Sequence, residues 1–506
     1  MALSGRRPGG PEVRAADGPS AQEPVRAEPA PRLGVGGARL GPRPRRRADP
    51  RRRAPLPPAL GGGRRPRPRA PGGRDVEPGA RPAQAGRRAV RPAPAARAAA
   101  PSPPPISGHQ DTLDGIRAVA ALAVLVYHVA SSAGAIVDPD GAGWLYNGGQ
   151  VGVPVFFTLS GLLLYRPWAA AVLDGRAAPK AGEYFRKRAL RILPAYWAVV
   201  IGYMLTAGRG HIGDPLTWGS LLTLTQTYLP DPWWRSGLGP PHLGQAWSLV
   251  IEVAWYATLP LTAAVLGWYA RRVPTQDVGV RAKRLLYGIG VYAALSLPYT
   301  VAMFVPDRHA RMGLWLPQYF AWFAIGMALA VVTVWARLDE RRPVAALCRA
   351  VADSWAACWA AAAMLYVVAS TPVTGPVSLQ TPDVFWTSLF DLVVKGLCAA
   401  ALVAPVALAP AGHPALGAIL GNPVMRFLGR ISYGLFLWQT LIIVGWYETA
   451  DRGIQGDVLT NLPLMAAASI AAATLSHYLV ERPVRRLVQH RDRSRRDRAR
   501  TRARPS

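Results

Sequence analysis

Apolar residues in this chain gather into runs of about 20, the length that spans a hydrocarbon core. Ten such runs stand out, at residues 116–137, 151–172, 192–207, 246–270, 285–305, 313–336, 351–369, 385–410, 427–447 and 462–480. Each predicts a membrane-spanning helix. The pattern therefore predicts an all-α fold, a polytopic membrane helical bundle with about ten transmembrane helices. A further run at 216–229 is shorter, rich in threonine and ends at Pro230.

Charge decides how that short run is read. Short cytoplasmic loops collect Lys and Arg. The basic connections are "GRAAPKAGEYFRKRALR", "RRVPTQDVGVRAKR" and "RLDERRPVAALCRA", whereas those around 138–149, 370–383 and 448–461 are poor in base. If 216–229 crossed, every later loop would change sides and the basic ones would face out. If it does not cross, ten spans place both termini and every strongly basic loop in the cytoplasm. The run is thus expected to be re-entrant or interfacial, and the paired tryptophans of "PDPWWRSGLGPPHLGQAW" after it suit an interfacial anchor.

Composition sharpens this. The chain has 506 residues, half of them hydrophobic, yet a net charge of +30. A soluble chain of that length would divide into two or more domains; here the charge lies mostly outside the apolar runs. Residues 1–105 are Arg, Pro, Gly and Ala with no periodic apolar face, too little buried surface to offset the ordering entropy, so a disordered basic tail is expected. That tail lacks the apolar core of a signal peptide. Residues 487–506 form a second basic tail whose expected contact is anionic lipid, and no nucleic acid partner is expected. The membrane domain is 106–486, and the cell membrane is the expected location. Cys348, Cys358 and Cys398 match no metal or redox spacing and imply no disulfide framework.

Ionisable residues inside the spans carry the candidate chemistry. In "LDGIRAVAALAVLVYHVA", Arg117 and His128 are eleven residues apart, close to three helical turns and about 16 Å along the axis. They share a face with Asp114. Arg117 at a helix end also satisfies the positive-inside rule by snorkelling. His128 near mid-bilayer is by default a functional residue, the alternative being a satisfied interhelical hydrogen bond. A neutral imidazole there suits a general base. Arg188 and Arg191 lie one turn apart at the entrance to the third span, where two guanidiniums can hold phosphates bidentately, although basic residues belong there on topology alone. Glu252 lies about two turns inside the outer end of the fourth span, which points to a polar cavity open to the outside. Ser160 and Gly161 sit mid-span, where they allow close backbone approach. Glu481 closes the last span beside arginines.

Six segments in order, "LDGIRAVAALAVLVYH", "VPVFFTLSGLLL", "YFRKRALRILPAYW", "AWSLVIEVAWY", "LGRISYGLFLWQ" and "ERP", make 112–486 resemble membrane acyltransferase family 3, the O-acetyltransferase-like integral membrane proteins. The resemblance implies transfer of an acyl group, commonly acetyl, from cytoplasmic acetyl-CoA to an extracytoplasmic hydroxyl acceptor: a carbohydrate, a glycolipid or a small molecule. The family's essential Arg and His of the first span fall on Arg117 and His128, its paired arginines on Arg188 and Arg191, and its "WSL-x-x-E" glutamate on Glu252. Gln439 stands where many members have His, which favours His128 as the base; His477 is a possible substitute.

The expected site is then His128 and Glu252 in catalysis, with Arg117, Arg188, Arg191, Asp114 and Ser160 binding substrate. Acyl-CoA serves as a donor substrate; no permanent cofactor and no metal are expected. A polytopic transporter is the alternative, to be marked by internal repeats and helices interrupted at mid-membrane; no clear repeat joins the two halves.

Overall fold

The computed structural model describes residues 104–106, 108–138, 141–339, 343–375, 383–449, 458–484 and 486, and the expectations for the tails at 1–103 and 487–506 lie outside them. Among the described residues every regular element is helical. Pro104 is buried, and the Pro105 carbonyl accepts from Gln110 at 2.8 Å and Arg166 at 3.3 Å, which ties this segment to α2.

Helix α1 (Asp111–Ser132) opens with Asp111 and Asp114 in its first turn, where the helix dipole favours carboxylates. Helix α2 (Gly152–Leu173) follows a tighter helical segment, Ala142–Val151, and the two read as one span. Helix α3 (Ala181–Leu205) begins eleven residues before the apolar run at 192. Its basic first turns are helical, with the exposed Lys187 paired to Glu183 at 2.7 Å one turn away. Hydropathy marks only the part of a helix that meets lipid, so such an extension is invisible to it.

Helix α4 (Pro215–Leu222) has eight residues, about 12 Å, and cannot cross a core of roughly 30 Å. Its N-cap Asp214 accepts from the amides of Leu216 at 3.0 Å and Thr217 at 3.3 Å. The helix is anchored to α3 by Tyr196 and Trp197, which donate to the carbonyls of Leu221 and Leu222 at 2.8 and 3.0 Å. The short run thus holds no helix long enough to cross.

Next come α5 (Ala246–Arg271), α6 (Val278–Ala294), α7 (Ser296–Phe304), α8 (Phe320–Leu338), α9 (Pro343–Asp353) and α10 (Trp355–Ser370). The bundle closes with α11 (Phe385–Leu408), α12 (Pro414–Leu420), α13 (Pro423–Thr449) and α14 (Val458–Ser476), the last running into a wider turn at His477–Glu481. Among the described residues nine helical segments are long and apolar enough to cross a membrane, α6 and α7 counting as one. The expected run at 351–369 falls on α9 and α10, which bend by 65° where they meet and make a tenth span only if taken together.

Small residues set the crossings. A Cβ on Gly161 of α2 would collide with the Phe323 carbonyl of α8, and one on Gly326 of α8 would collide with the Thr158 carbonyl of α2. The two backbones therefore approach as only glycine permits. Gly429 makes the same approach of α13 to the Asp114 carbonyl of α1. Beside the α2–α8 crossing, Phe157 stacks on Phe323 and Phe323 on Trp255, each pair 4.5 Å between centroids. This three-ring stack joins α2, α8 and α5 within one turn of Ser160 and Glu252.

Candidate functional site

One cavity of about 310 Å³ lies among α1, α2, α3, α5 and α13. Its polar lining includes Asp114, Arg117, Ser160, Arg188, Arg191 and Glu252, which the sequence scatters over four helices. His128 is not part of that lining.

The two ends of the lining differ chemically. Asp114 is buried, accepts from Arg117 at 3.5 Å and pairs with His109 at 3.0 Å; its carboxylate thus holds the Arg117 guanidinium in place. His109 also reaches Asp111 at 3.2 Å, and Arg426 of α13 pairs with Asp111 at 3.2 Å. This network pins the start of α1. Arg188 and Arg191 project from successive turns of α3, and with Arg117 they put three guanidiniums on one cavity.

Glu252 faces these cations. Its Oε1 accepts from Ser160 Oγ across the α2–α5 interface and from Tyr256 OH at 2.5 Å, one turn along its own helix. Two hydroxyl donors fix the carboxylate's orientation, and bonds to a charged acceptor are the stronger kind. The sequence reading placed Glu252 beside an outer chamber; the structure places it on the cavity of the arginines. The reason is where α5 starts. Gln245, just ahead of it, donates to the Leu437 carbonyl at 2.8 Å, and Leu437 is in the middle of the 27-residue α13. The connection before α5 dips into the bundle, so two turns into α5 is already deep.

His128 lies farther along α1. A Cβ on Gly152 would meet the Ala120 carbonyl and Val124, so the cavity wall at Val153 stands beside the Val124 turn. His128 is one turn beyond, about 6 Å along the axis. Its polar neighbour is Gln439, fully buried on α13. His128 Nδ1, Gln439 Oε1 and Gln245 Oε1 are all buried with no hydrogen-bond partner among the described residues. Between the two levels stand Phe156 and Phe436, edge to face at 6.4 Å, and both line the cavity.

Several lining groups were not singled out from the sequence. Ser248, Tyr256, Ser432 and Tyr433 carry hydroxyls within two of the segments that carry the family resemblance, "AWSLVIEVAWY" and "LGRISYGLFLWQ"; only the spacing of Tyr256 one turn after Glu252 offered a signal. Tyr433 OH donates to the Ile192 carbonyl at 2.9 Å, tying α13 to α3 beside Arg191. Arg166 of α2 is 5% exposed, with Nε and Nη2 unpartnered among the described residues; an Arg-Pro pair inside an apolar run was its signal. Glu481 is buried and lies 3.6 Å from His477.

A bundle of this kind with a basic, carboxylate-bearing cavity at its centre defines a multi-pass membrane protein with a built-in site. The acyltransferase family 3 model, described as an acyltransferase domain, matches residues 110–481, and the chain belongs to that family. It is 27% identical over 417 residues to the acyltransferase MdmB of Streptomyces mycarofaciens, covering 77% of this chain and 95% of that one. It is 25% identical over 394 residues to the peptidoglycan O-acetyltransferase OatA of Listeria monocytogenes, covering 74% of this chain and 56% of that one. YrhL of Bacillus subtilis is 25% identical over 399 residues, 74% of this chain and 54% of that one. The chain thus spans about half the length of the Listeria and Bacillus relatives. No solved structure matches.

Proposed function

We propose that this chain is an O-acyltransferase that moves an acyl group, acetyl in the simplest case, from a cytoplasmic acyl-CoA to a hydroxyl of a carbohydrate or small-molecule acceptor. The observation that carries the reading is the convergence of Arg117, Arg188 and Arg191 with the doubly bonded Glu252 on one intramembrane cavity. Three guanidiniums on one cavity are suited to the phosphates of a CoA donor, since each offers a planar fork of donors. The names of the Listeria and Streptomyces relatives support acyl transfer as the reaction class.

In this scheme the phosphates rest on Arg188 and Arg191, and the pantetheine arm extends past Glu252 toward the turn of His128. The acceptor oxygen attacks the thioester carbonyl while His128 takes the hydroxyl proton. The new C–O bond forms, the C–S bond breaks, and the proton passes from the imidazolium to the departing thiolate. A His128-bound acyl intermediate is the variant of this scheme if donor and acceptor never meet. Glu252, held by Ser160 and Tyr256, orients a donor or acceptor group within the cavity. The buried Gln439 side chain, the polar neighbour of His128, is placed to orient the imidazole.

The test is acyl transfer by the purified full chain from radiolabelled acetyl-CoA to envelope glycans and to hydroxyl-bearing small molecules. Wild type should label an acceptor. His128→Ala should lose at least a hundredfold in rate, within the 10²–10⁴-fold range of general-base catalysis, at normal expression. Retention of more than a tenth of the wild-type rate removes His128 from that role.

A further inference from the structure

A second pocket, of about 580 Å³, opens on the flank of the bundle where the C-terminal turns of α2 and α5 meet. Trp168 and Val172 of α2 face Ala263 and Trp268 of α5 across it, and Arg271 and Arg272 stand at its end. Among the described residues no carboxylate lines it. The Arg272 guanidinium lies over the Trp268 ring, 3.8 Å from its centroid, and Arg271 reaches across to donate to the Ala171 carbonyl at 3.2 Å. The Trp168 indole Nε1 is buried and has no hydrogen-bond partner among the described residues.

The surroundings are apolar and open. Leu261, Val265 and Trp268 recur at helical spacing on α5 and are 70%, 53% and 56% exposed, a stripe that faces the bilayer. The groove therefore runs from a lipid-facing surface to a pair of cations. That gradient matches an amphiphile with an acyl chain and an anionic head. A free nucleotide or inorganic phosphate would find the cations but leave the apolar wall uncovered.

We infer that this pocket is a binding site for an anionic phospholipid. One acyl chain lies in the groove between α2 and α5 against the Trp168 ring, and the phosphate sits on Arg271 and Arg272. Basic pockets between membrane helices recognise anionic headgroups in this manner, and the interfacial tryptophans fix the depth. The site is separate from the central cavity and does not depend on the reaction proposed for it.

Photoactivatable phosphatidylglycerol, compared with photoactivatable phosphatidylcholine, tests this on the full chain in phosphatidylcholine nanodiscs, with adducts mapped by mass spectrometry. Peptides holding residues 168–178 and 261–272 should be labelled by phosphatidylglycerol about tenfold more than by phosphatidylcholine. Arg271→Gln with Arg272→Gln should bring the two lipids level at these peptides. Arg272→Gln alone, at an exposed side chain, should reduce the preference even if the double variant folds poorly. Equal labelling of wild type by both lipids overturns the proposal. So does displacement of the lipid by millimolar inorganic phosphate or CoA, which would make this a site for soluble phosphates.

Discussion

Ser160 and Glu252 are 92 residues apart in the chain and meet in a direct hydrogen bond. The hydroxyl comes from α2 and the carboxylate from α5, and the stack of Phe157, Phe323 and Trp255 holds these helices in register one turn away. Tyr256 supplies the second donor.

The carboxylate and its two donors should therefore fail unequally when altered. Removing one hydrogen bond to a charged group costs about 1.5–3 kcal/mol, so Ser160→Ala and Tyr256→Phe should each lower acyl transfer by roughly ten- to a hundredfold. Glu252→Gln keeps the shape but loses the charge facing three guanidiniums, and should fall further than either. Initial rates with acetyl-CoA, resolved into kcat and KM, measure this. A Gln variant as active as wild type would limit Glu252 to packing.

Donor affinity should depend on guanidinium geometry at Arg191. Lysine keeps the charge but loses the planar fork, so Arg191→Lys should weaken acetyl-CoA binding, and Arg191→Ala should weaken it by about one to two decades. Calorimetry on detergent-purified variants, beside a thermal-unfolding control, reads both. Equal affinity in wild type and both variants would return the arginine to a purely topological role.

Much of this site was legible in the sequence because ionisable groups are conspicuous inside apolar runs. Arg117, Arg188, Arg191 and Glu252 stood out for that reason, and the structure brings all four to one cavity. Ser160 was expected on the site, but its contact with Glu252 has no local signature, and Tyr256 did not stand out, since Ser, Thr and Tyr are ordinary in spanning helices. A hydropathy run fixes where apolar residues begin but not which cavity they line: Gln245, buried just ahead of α5, bonds the middle of α13, and Glu252 shares its cavity with the arginines. The bend between α9 and α10 was hidden in the same way: two helices meeting at 65° give nearly the same run of apolar letters as one straight span.

A second buried polar cluster should govern stability. Lys395 and Asp391 of α11 form an ion pair, and Lys395 Nζ also donates to Gln150 Oε1 at 3.2 Å, with Gln150 bonded in turn to Asn147 at 2.5 Å. Both charges are largely buried, with side chains 8% and 25% exposed. Lys395→Met leaves Asp391 without its cation and should cost about 3–5 kcal/mol, whereas Lys395→Met with Asp391→Leu should recover most of that loss. Thermal unfolding in detergent compares the two. A single variant as stable as wild type would mean that Asp391 finds another partner.

Acid should loosen α4 before it affects the bundle. Asp214 caps this helix, and the Thr217 hydroxyl, with the amides of Leu216 and Thr217, holds its carboxyl below the usual carboxylate range. A carboxyl with a depressed pKa binds fewer protons folded than unfolded, so the cap's contribution is complete above the ordinary Asp value, about 3.9, and is lost as pH falls through the lowered one. Amide hydrogen exchange at Leu216 and Thr217, corrected for its intrinsic pH dependence, should show protection fading over that acidic window. Asp214→Asn keeps a capping oxygen that does not titrate, so its protection should stay level through the same window. Parallel loss in wild type and the Asn variant would place the acid sensitivity elsewhere, and unchanged protection in wild type would show that contacts such as those of Tyr196, Trp197 and Trp233 hold α4 without the cap.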